Sequence, residues 1–348
     1  MKSFARPPLL LLCFVFALLA PGLMRQDAQA EDLRLAGAGG TFPYLIYSAW
    51  FQQFSKNNPS VQVDYQGLRS GAGIQSFINN TIDFGGSDVA MTDEQIAQVK
   101  DGAVLIPMAA GTIVIGYNLP GITDLKLPRE VYPEIFLGKI TRWNDPKIVA
   151  ANPNLTLPDL PITVFVRSDS SGTTYVFTRH LSAIAPAFAS EVGSGQTVSW
   201  PIKNGTIAAA PRNDGVAALI KRLPGSIGYI EYSYAKFANI NIAMLENKAG
   251  NYIQPSTKSG EAALADAKLD PELRGWVDDP EGTDAYPITT FSWLLFYKKQ
   301  EESKAKALRN LVAYCASEPA QTLAEKMGYI PLPADVIAKI KEATAAIK

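Results

Sequence analysis

Three stretches of this 348-residue chain combine glycine, hydroxyl side chains and a helix start in a way that suits an anion. They are Gly37-Ala38-Gly39-Gly40-Thr41-Phe42-Pro43, Ser70-Gly71-Ala72-Gly73 and Ser171-Gly172-Thr173-Thr174. A helix start leaves backbone N–H groups without intrahelical partners and carries the positive end of the helix dipole. Glycine lets a ligand approach the backbone, hydroxyls add donors, and proline is tolerated in the first helical turn. Taken singly, each loop reads as ordinary N-capping by Ser or Thr. Three such loops, if they converge, build an oxyanion cage.

Two charged residues sharpen that chemistry. Arg167 stands at a predicted strand end four residues before Ser171, where its planar fork could hold two oxygens at once. Asp169 is placed to orient it and temper its charge; the plainer role for the pair is a surface salt bridge of little worth. Asp88 follows Gly85-Gly86-Ser87, where a helix N-cap is the plainer role. A carboxylate facing the cage would repel a fully ionised oxyanion but accept a hydrogen bond from one that keeps a proton. Near neutral pH phosphate keeps a proton and sulfate does not.

Other chemistries are poorly supplied. His180 is the single histidine, which removes multi-histidine metal sites and most histidine triads, and two cysteines make neither a zinc cluster nor a disulfide scaffold. No metal or cofactor is expected. Gly37-x-Gly39-x-x-Phe42 lacks the third glycine of a dinucleotide fingerprint, and no loop ends in the Gly-Lys-Ser/Thr of a P-loop. Ser233-x-x-Lys236 and Ser303-x-x-Lys306 match a Ser–Lys dyad by spacing alone, without the partner motifs.

The elements that must position the loops read as alternating strand and helix. Leu33 to Gly39 is a predicted strand, and Phe42, Leu45, Ile46, Ala49, Trp50 and Phe54 recur at helical spacing. Val61, Val63 and Tyr65 alternate with polar residues as in a half-buried strand, and Ile82 to Ser87 is a short one. This alternation argues for α/β layers with a largely parallel sheet. Val104 to Tyr117 reads as an apolar strand pair, followed at Asn118-Leu119-Pro120-Gly121 by a turn cluster that could carry the chain between lobes. Strands at Ile162 to Val166, Ser226 to Tyr232 and Pro287 to Tyr297, a hairpin from Ile240 to Gln254 and three closing helices complete the pattern.

The first thirty residues read as a secretory signal peptide: Lys2 and Arg6, the apolar run Leu9 to Ala20, and the cleavage site Ala28-Gln29-Ala30. Leu12 before Cys13 argues against lipid anchoring. Cleavage after Ala30 removes three basic residues and one acidic, so the formal charge moves from −1 to −3 on the remaining 318 residues. That mild acidity gives no field to recruit nucleic acid or membrane. At 47% apolar and 19% charged, the chain has ample core for two domains. Cys315, on a helical pattern, reads as a small buried apolar residue.

Ala36-Gly37-Ala38-Gly39-Gly40-Thr41-Phe42-Pro43 resembles the opening motif of the periplasmic phosphate-binding proteins (PstS) of phosphate ABC transporters. The resemblance continues in order through Tyr65-Gln66-Gly67-Leu68-Arg69-Ser70-Gly71, Asp83-Phe84-Gly85-Gly86-Ser87-Asp88, Phe136-Leu137-Gly138-Lys139-Ile140 with Trp143, Arg167-Ser168-Asp169-Ser170-Ser171-Gly172-Thr173 and Leu223-Pro224-Gly225-Ser226-Ile227-Gly228-Tyr229. It implies a two-lobed fold, each lobe a mixed sheet flanked by helices, with the ligand in the cleft. The implied lobes are 31–117 with 287–348, and 118–286. Carried over by position, Thr41, Phe42 (through its backbone N–H), Ser70 and Asp88 bind phosphate from the first lobe, and Arg167, Ser171, Gly172 and Thr173 from the second, with Asp169 supporting Arg167. Arg69 departs from the family's usual glycine; alternation with Ser70 points it away from the cage.

The expectation is therefore a monomeric periplasmic receptor, not an enzyme. It takes up inorganic phosphate and hands it to transmembrane permease subunits served by cytoplasmic ATPase subunits. The alternatives are a receptor for sulfate or molybdate, or an exported phosphatase, which would need a nucleophile or metal that the histidine and cysteine counts barely supply.

Overall fold

Apolar alternation and periodicity build layered α/β structure over residues 32–202 and 206–348, which the structure, a computed structural model, describes. The proposed signal peptide and its cleavage site lie outside the described residues. The strands in chain order are β1 (Leu33–Gly39), β2 (Val61–Gly67), β3 (Phe84–Ser87), β4 (Ala103–Asn118), β5 (Lys126–Leu127), β6 (Thr163–Arg167), β7 (Ile207–Ala210), β8 (Ser226–Glu231), β9 (Asn241–Ile242), β10 (Met244–Glu246), β11 (Tyr252–Ile253) and β12 (Thr289–Tyr297). The main sheet runs β2-β1-β3-β12-β4-β8-β6-β7, with β9 also on β4; β11, β10 and β5 form a small second sheet.

The pairing is parallel at both ends of the sheet, β2/β1/β3 and β8/β6/β7, and antiparallel through β3/β12/β4/β8. A largely parallel sheet, read from strand–helix alternation, is thus corrected to a mixed one. Alternation reports the crossover units at each end, whereas β12 returns from far along the sequence to pair between β3 and β4. A second correction concerns Val104 to Tyr117, which is one continuous sixteen-residue strand rather than two. No turn is needed because β4 changes partner instead of direction: residues 103–112 pair with β12 and 113–118 with β8. The chain therefore passes from one half of the sheet to the other between Thr112 and Ile113, before the Asn118–Gly121 turn.

This topology decides where the loops go. β1 and β3 run with β4, and β6, β7 and β8 run against it, so the parallel strands of the two halves point at each other. Their C-terminal ends, where ligands gather in open α/β sheets, converge on the middle of β4. Gly39, Ser87, Arg167, Ala210 and Glu231 are those ends.

Helices cover the sheet by burying one face. In Tyr44–Asn57 the buried residues are Ile46, Tyr47, Trp50, Phe51 and Phe54, at the three- and four-residue spacing of an amphipathic helix. Leu45 and Ala49, read as part of that face, are only half-buried. The Phe54 ring packs on Tyr314 of the C-terminal helix Glu302–Cys315, and Trp50 Nε1 donates at 2.8 Å to Ala320 O of the next helix, Glu318–Met327. Cys315 is buried on the former, as its spacing predicts. Among the described residues no helix is long and apolar enough to cross a membrane.

β1 and β3 approach most closely at Gly39, where an added Cβ would lie 1.8 Å from Gly86 O. Neither backbone can retreat without breaking the ladder that places both loops. Gly39→Ala is expected to lower unfolding free energy by ~3 kcal/mol, the upper end of an ordinary overpacking penalty. Urea unfolding checks this, and an unchanged midpoint would refute the close approach.

Candidate functional site

The first loop leaves β1 at Gly39 and reaches Thr41 and Phe42 just before the helix Tyr44–Asn57. Three phenols hold three successive carbonyls of this loop. Tyr65 Oη donates to Gly40 O at 3.0 Å, Tyr234 Oη to Thr41 O at 2.7 Å and Tyr329 Oη to Phe42 O at 2.8 Å. A carbonyl fixed to a phenol cannot swing toward a bound anion. The Phe42 N–H has no acceptor among the described residues, while the Phe42 ring is fully buried.

The second loop and β3 meet at Asp88, 1% exposed. Ser70 Oγ donates to Asp88 Oδ2 at 3.1 Å, and Ser292 Oγ on β12 donates to Asp88 Oδ1 at 2.8 Å. The β12–β4 register slips between Ser292 and Trp293, a bulge of the kind that re-aims a side chain beside a site. Burial pushes the Asp88 carboxyl up to about 6; the bonds from Ser292 and Ser70 and the nearby Arg167 charge pull the other way.

The third loop closes against the second. An added Cβ at Gly172 would stand 2.5 Å from Ser70 Oγ and 2.6 Å from Asp88 Oδ2, and one at Gly40 would stand 2.9 Å from Ser70 Oγ. All three loops therefore meet at one point. Ser171 caps the helix Gly172–Ile184 by accepting from Thr174 N at 3.1 Å, which leaves the Gly172 and Thr173 amides at its open N-terminus. Arg167 at the end of β6 forms a two-point bond with Asp169, Nε and Nη2 each 2.7 Å from a carboxylate oxygen. Their side chains are 2% and 7% exposed, so this is a buried pair and not a surface salt bridge. With Nε–H and one Nη2–H engaged, the Nη1–Nη2 edge keeps three N–H donors for a ligand.

The structure thus brings together Thr41, Phe42, Ser70, Asp88, Arg167, Ser171, Gly172 and Thr173, with Asp169 behind Arg167 as the sequence reading places it. Arg69 is exposed while its neighbour Ser70 is buried, as alternation predicts. Sequence reasoning did not find Ser292, the three tyrosines or Asn213. Asn213 is fully buried; its Nδ2 lies 3.1 Å from Thr41 Oγ1 and 3.4 Å from Thr173 Oγ1. One signal could have found it: Pro211-Arg212-Asn213-Asp214 follows β7 and opens the helix Arg212–Arg222, a fourth strand-to-helix turn. The spacing of Tyr65 shows only a strand face, and nothing in the spacing of the three tyrosines points to the first loop.

Residues with competing chemical roles sit elsewhere. His180 is buried with Nε2 2.8 Å from Tyr132 Oη and Nδ1 2.7 Å from Asp278 O; burial pushes it down to about 4. Ser233 Oγ donates to Glu231 Oε1 and Met327 O, and Lys236 Nζ reaches Lys326 O, so that Ser–Lys spacing does not form a dyad. Ser303 Oγ lies against Glu301.

Residues 26–319 match the model of a PBP superfamily domain. The chain is 40% identical to the phosphate-binding protein PstS of Pasteurella multocida over 312 residues, 88% of each chain. It is 39% identical to PstS of Haemophilus influenzae over 320 residues, 90% of this chain and 92% of that one. PstS of Methanocaldococcus jannaschii is 36% identical, covering 86% and 82%. Among solved structures, a high affinity periplasmic phosphate-binding protein (PfluDING) bound with phosphate superposes with TM-score 0.74 at 22% identity over 89% of this chain and 93% of that one. A phosphate binding protein from Stenotrophomonas maltophilia gives 0.69 at 18%, covering 89% and 93%. At these identities the structures speak for the two-lobed fold alone.

The raised Asp88 carboxyl makes a pH prediction for the ligand-free protein. Below pH about 4 the group is protonated in folded and unfolded chains alike, and its contribution is intact. Between pH about 4 and 6 the unfolded chain ionises first, so stability falls as pH rises, by roughly 3 kcal/mol in all. Asp88→Asn cannot ionise. In phosphate-free buffer its stability relative to wild type should rise by that amount between pH 4 and 7.5 in urea titrations. A gap independent of pH would show that Asp88 ionises without cost.

Proposed function

This chain belongs to the PstS phosphate-binding proteins of the PBP superfamily, and from that premise we propose that it binds inorganic phosphate in the periplasm for an ABC-type importer. Export by a signal peptide cut after Ala30 is part of this reading. Delivery is to the permease subunits, whose ATPase subunits are cytoplasmic. The receptor performs no reaction; its work is to take phosphate out of water selectively and release it on docking.

The phosphate contacts proposed are Thr41, Phe42 N–H, Ser70 and Asp88 from one lobe and Arg167, Ser171, Gly172 and Thr173 from the other. The lobes proposed are those drawn from the sequence, 31–117 with 287–348 and 118–286, with β4 changing partner at Thr112/Ile113, a few residues before that boundary. Contacts already span the two sets of residues: Gly71 N to Ser170 O at 3.4 Å, and Tyr234 Oη to Thr41 O. Closure of the lobes around the ion, stabilised by bonds from both, is the proposed cycle.

The observation that carries phosphate rather than a generic anion is Asp88, a buried carboxyl among donors. Its two oxygens each take one serine hydroxyl, and a carboxylate has lone pairs beyond these. A ligand oxygen that keeps its proton can donate to it. An anion with no proton meets like charge without water to screen it, which costs several kcal/mol. Arg167 answers the remaining charge, tempered by Asp169, so neutral donors carry most of the recognition.

Two variants test this by calorimetry with phosphate and sulfate. Arg167→Ala removes the buried cation that answers the anion's charge and leaves Asp169 uncompensated beside the site, so phosphate binding should weaken by at least 100-fold. Asp88→Asn should keep phosphate binding but lower the phosphate-to-sulfate affinity ratio at least tenfold, because the amide can donate to sulfate. Equal sulfate rejection by wild type and Asp88→Asn would move selectivity elsewhere in the cage.

A further inference from the structure

We propose that Asn213 is a positioning residue of the phosphate site, whose amide leaves the Thr41 hydroxyl able only to donate to the anion and occupies one of the two lone pairs of the Thr173 hydroxyl. The inference rests on the phosphate reading above. A threonine hydroxyl has one hydrogen and two lone pairs, and left to itself it can turn either toward an anion. Turned the wrong way, it presents negative charge to phosphate.

At Thr41 that choice is removed. Its Oγ1 receives the Asn213 backbone N–H at 3.3 Å and Nδ2 at 3.1 Å. Both lone pairs are then filled, and the single hydrogen must go elsewhere. Thr173 Oγ1, on the third loop, receives the second hydrogen of the same Nδ2 at 3.4 Å. One amide nitrogen thus feeds hydroxyls on two loops far apart in sequence. The other end of the amide is also committed, because Glu231 N–H donates to Asn213 Oδ1 at 3.1 Å. That bond decides which end faces the threonines.

The turn that delivers Asn213 is built for the purpose. Arg212 has φ of 61°, a left-handed conformation that a residue with a side chain adopts only under constraint. Its N–H points at both Asp169 oxygens, 3.4 Å from each. Asp169 is the carboxylate that holds Arg167, so the charged and neutral donors of the site share one scaffold. Asn213 itself is fully buried, and nothing about it serves solvent or surface.

The test is phosphate binding by equilibrium dialysis of radiolabelled phosphate, up to millimolar, with folding checked by circular dichroism. Asn213→Asp is nearly isosteric but turns the donor into an acceptor, so both hydroxyls rotate toward it and away from the anion; the dissociation constant should rise at least 100-fold. Asn213→Ala, which keeps the backbone N–H, should cost about tenfold. A merely structural role is separated by a cycle. In a Thr41→Val, Thr173→Val background, where no hydroxyl is left to orient, Asn213→Ala should change affinity less than twofold. The same tenfold loss in both backgrounds would overturn the proposal, as would wild-type affinity in Asn213→Ala. Should Asn213→Asp fail to fold, the alanine cycle still decides. If wild type takes up no phosphate, the functional reading fails first and this inference falls with it.

Discussion

Gly40, Thr41 and Phe42 each surrender a carbonyl oxygen to a tyrosine hydroxyl, and the use of this site for an anion depends on that arrangement. A dry cage can hold an oxyanion only if donors face it and acceptors do not. The backbone supplies both in equal number, and in a short loop they are free to exchange places. Phenols that take the three oxygens keep those acceptors from turning inward, and the Phe42 N–H is left without a partner among the described residues. They come from β2, from the helix Tyr232–Ala238 and from the turn just after the helix Glu318–Met327, so three elements distant in sequence must be in place before the loop is set. Tyr234 and Tyr329 are themselves buried, which makes those bonds costly to lose.

β4 supplies the matching constraint on a larger scale. Because a single strand exchanges β12 for β8 at its middle, the parallel strands of the two halves face one another end to end. Loops that leave Gly39, Ser87, Arg167 and Ala210 are thereby aimed at one region without any long connection reaching across. Glu231, the end of β8, pairs with Ile113 on β4 and lies fully buried behind Asn213. Burial pushes its carboxyl up to about 8, with bonds from Ser233 opposing and Asp88 adding to the rise. Behind the cage Glu231 is thus inclined to be neutral, and Arg167 is the buried cation, bound to Asp169.

That balance suits a receptor that must also release its ligand. A site built on several bare cations would hold any anion and would lose affinity steeply with salt. In the proposed site neutral N–H and O–H donors outnumber the one buried cation, so geometry can separate ligands by their protons. Three hydroxyls illustrate the point. Ser70 and Ser292 spend their hydrogens on the carboxylate, while Thr41 receives two hydrogens and keeps its own to offer.

Much of this was legible in the residues alone. Glycine, hydroxyl and proline at helix starts are local signals, because capping and dipole depend on a few adjacent residues, and so the three loops, Arg167, Asp169 and Asp88 could be named from spacing. The resemblance to phosphate-binding proteins added Phe42 N–H and the lobes. What stayed hidden involves partners distant in sequence. Val104 to Tyr117 reads as two strands because an apolar run says nothing of which strand lies on either side. Ser292 reaches Asp88 across 204 positions and Tyr329 reaches Phe42 across 287. Those contacts follow from strand order and register, which no local pattern encodes. Local pattern names which polar groups gather at the loop ends; which way each one faces follows from the fold, because a hydroxyl or carbonyl is oriented by the partner on its far side.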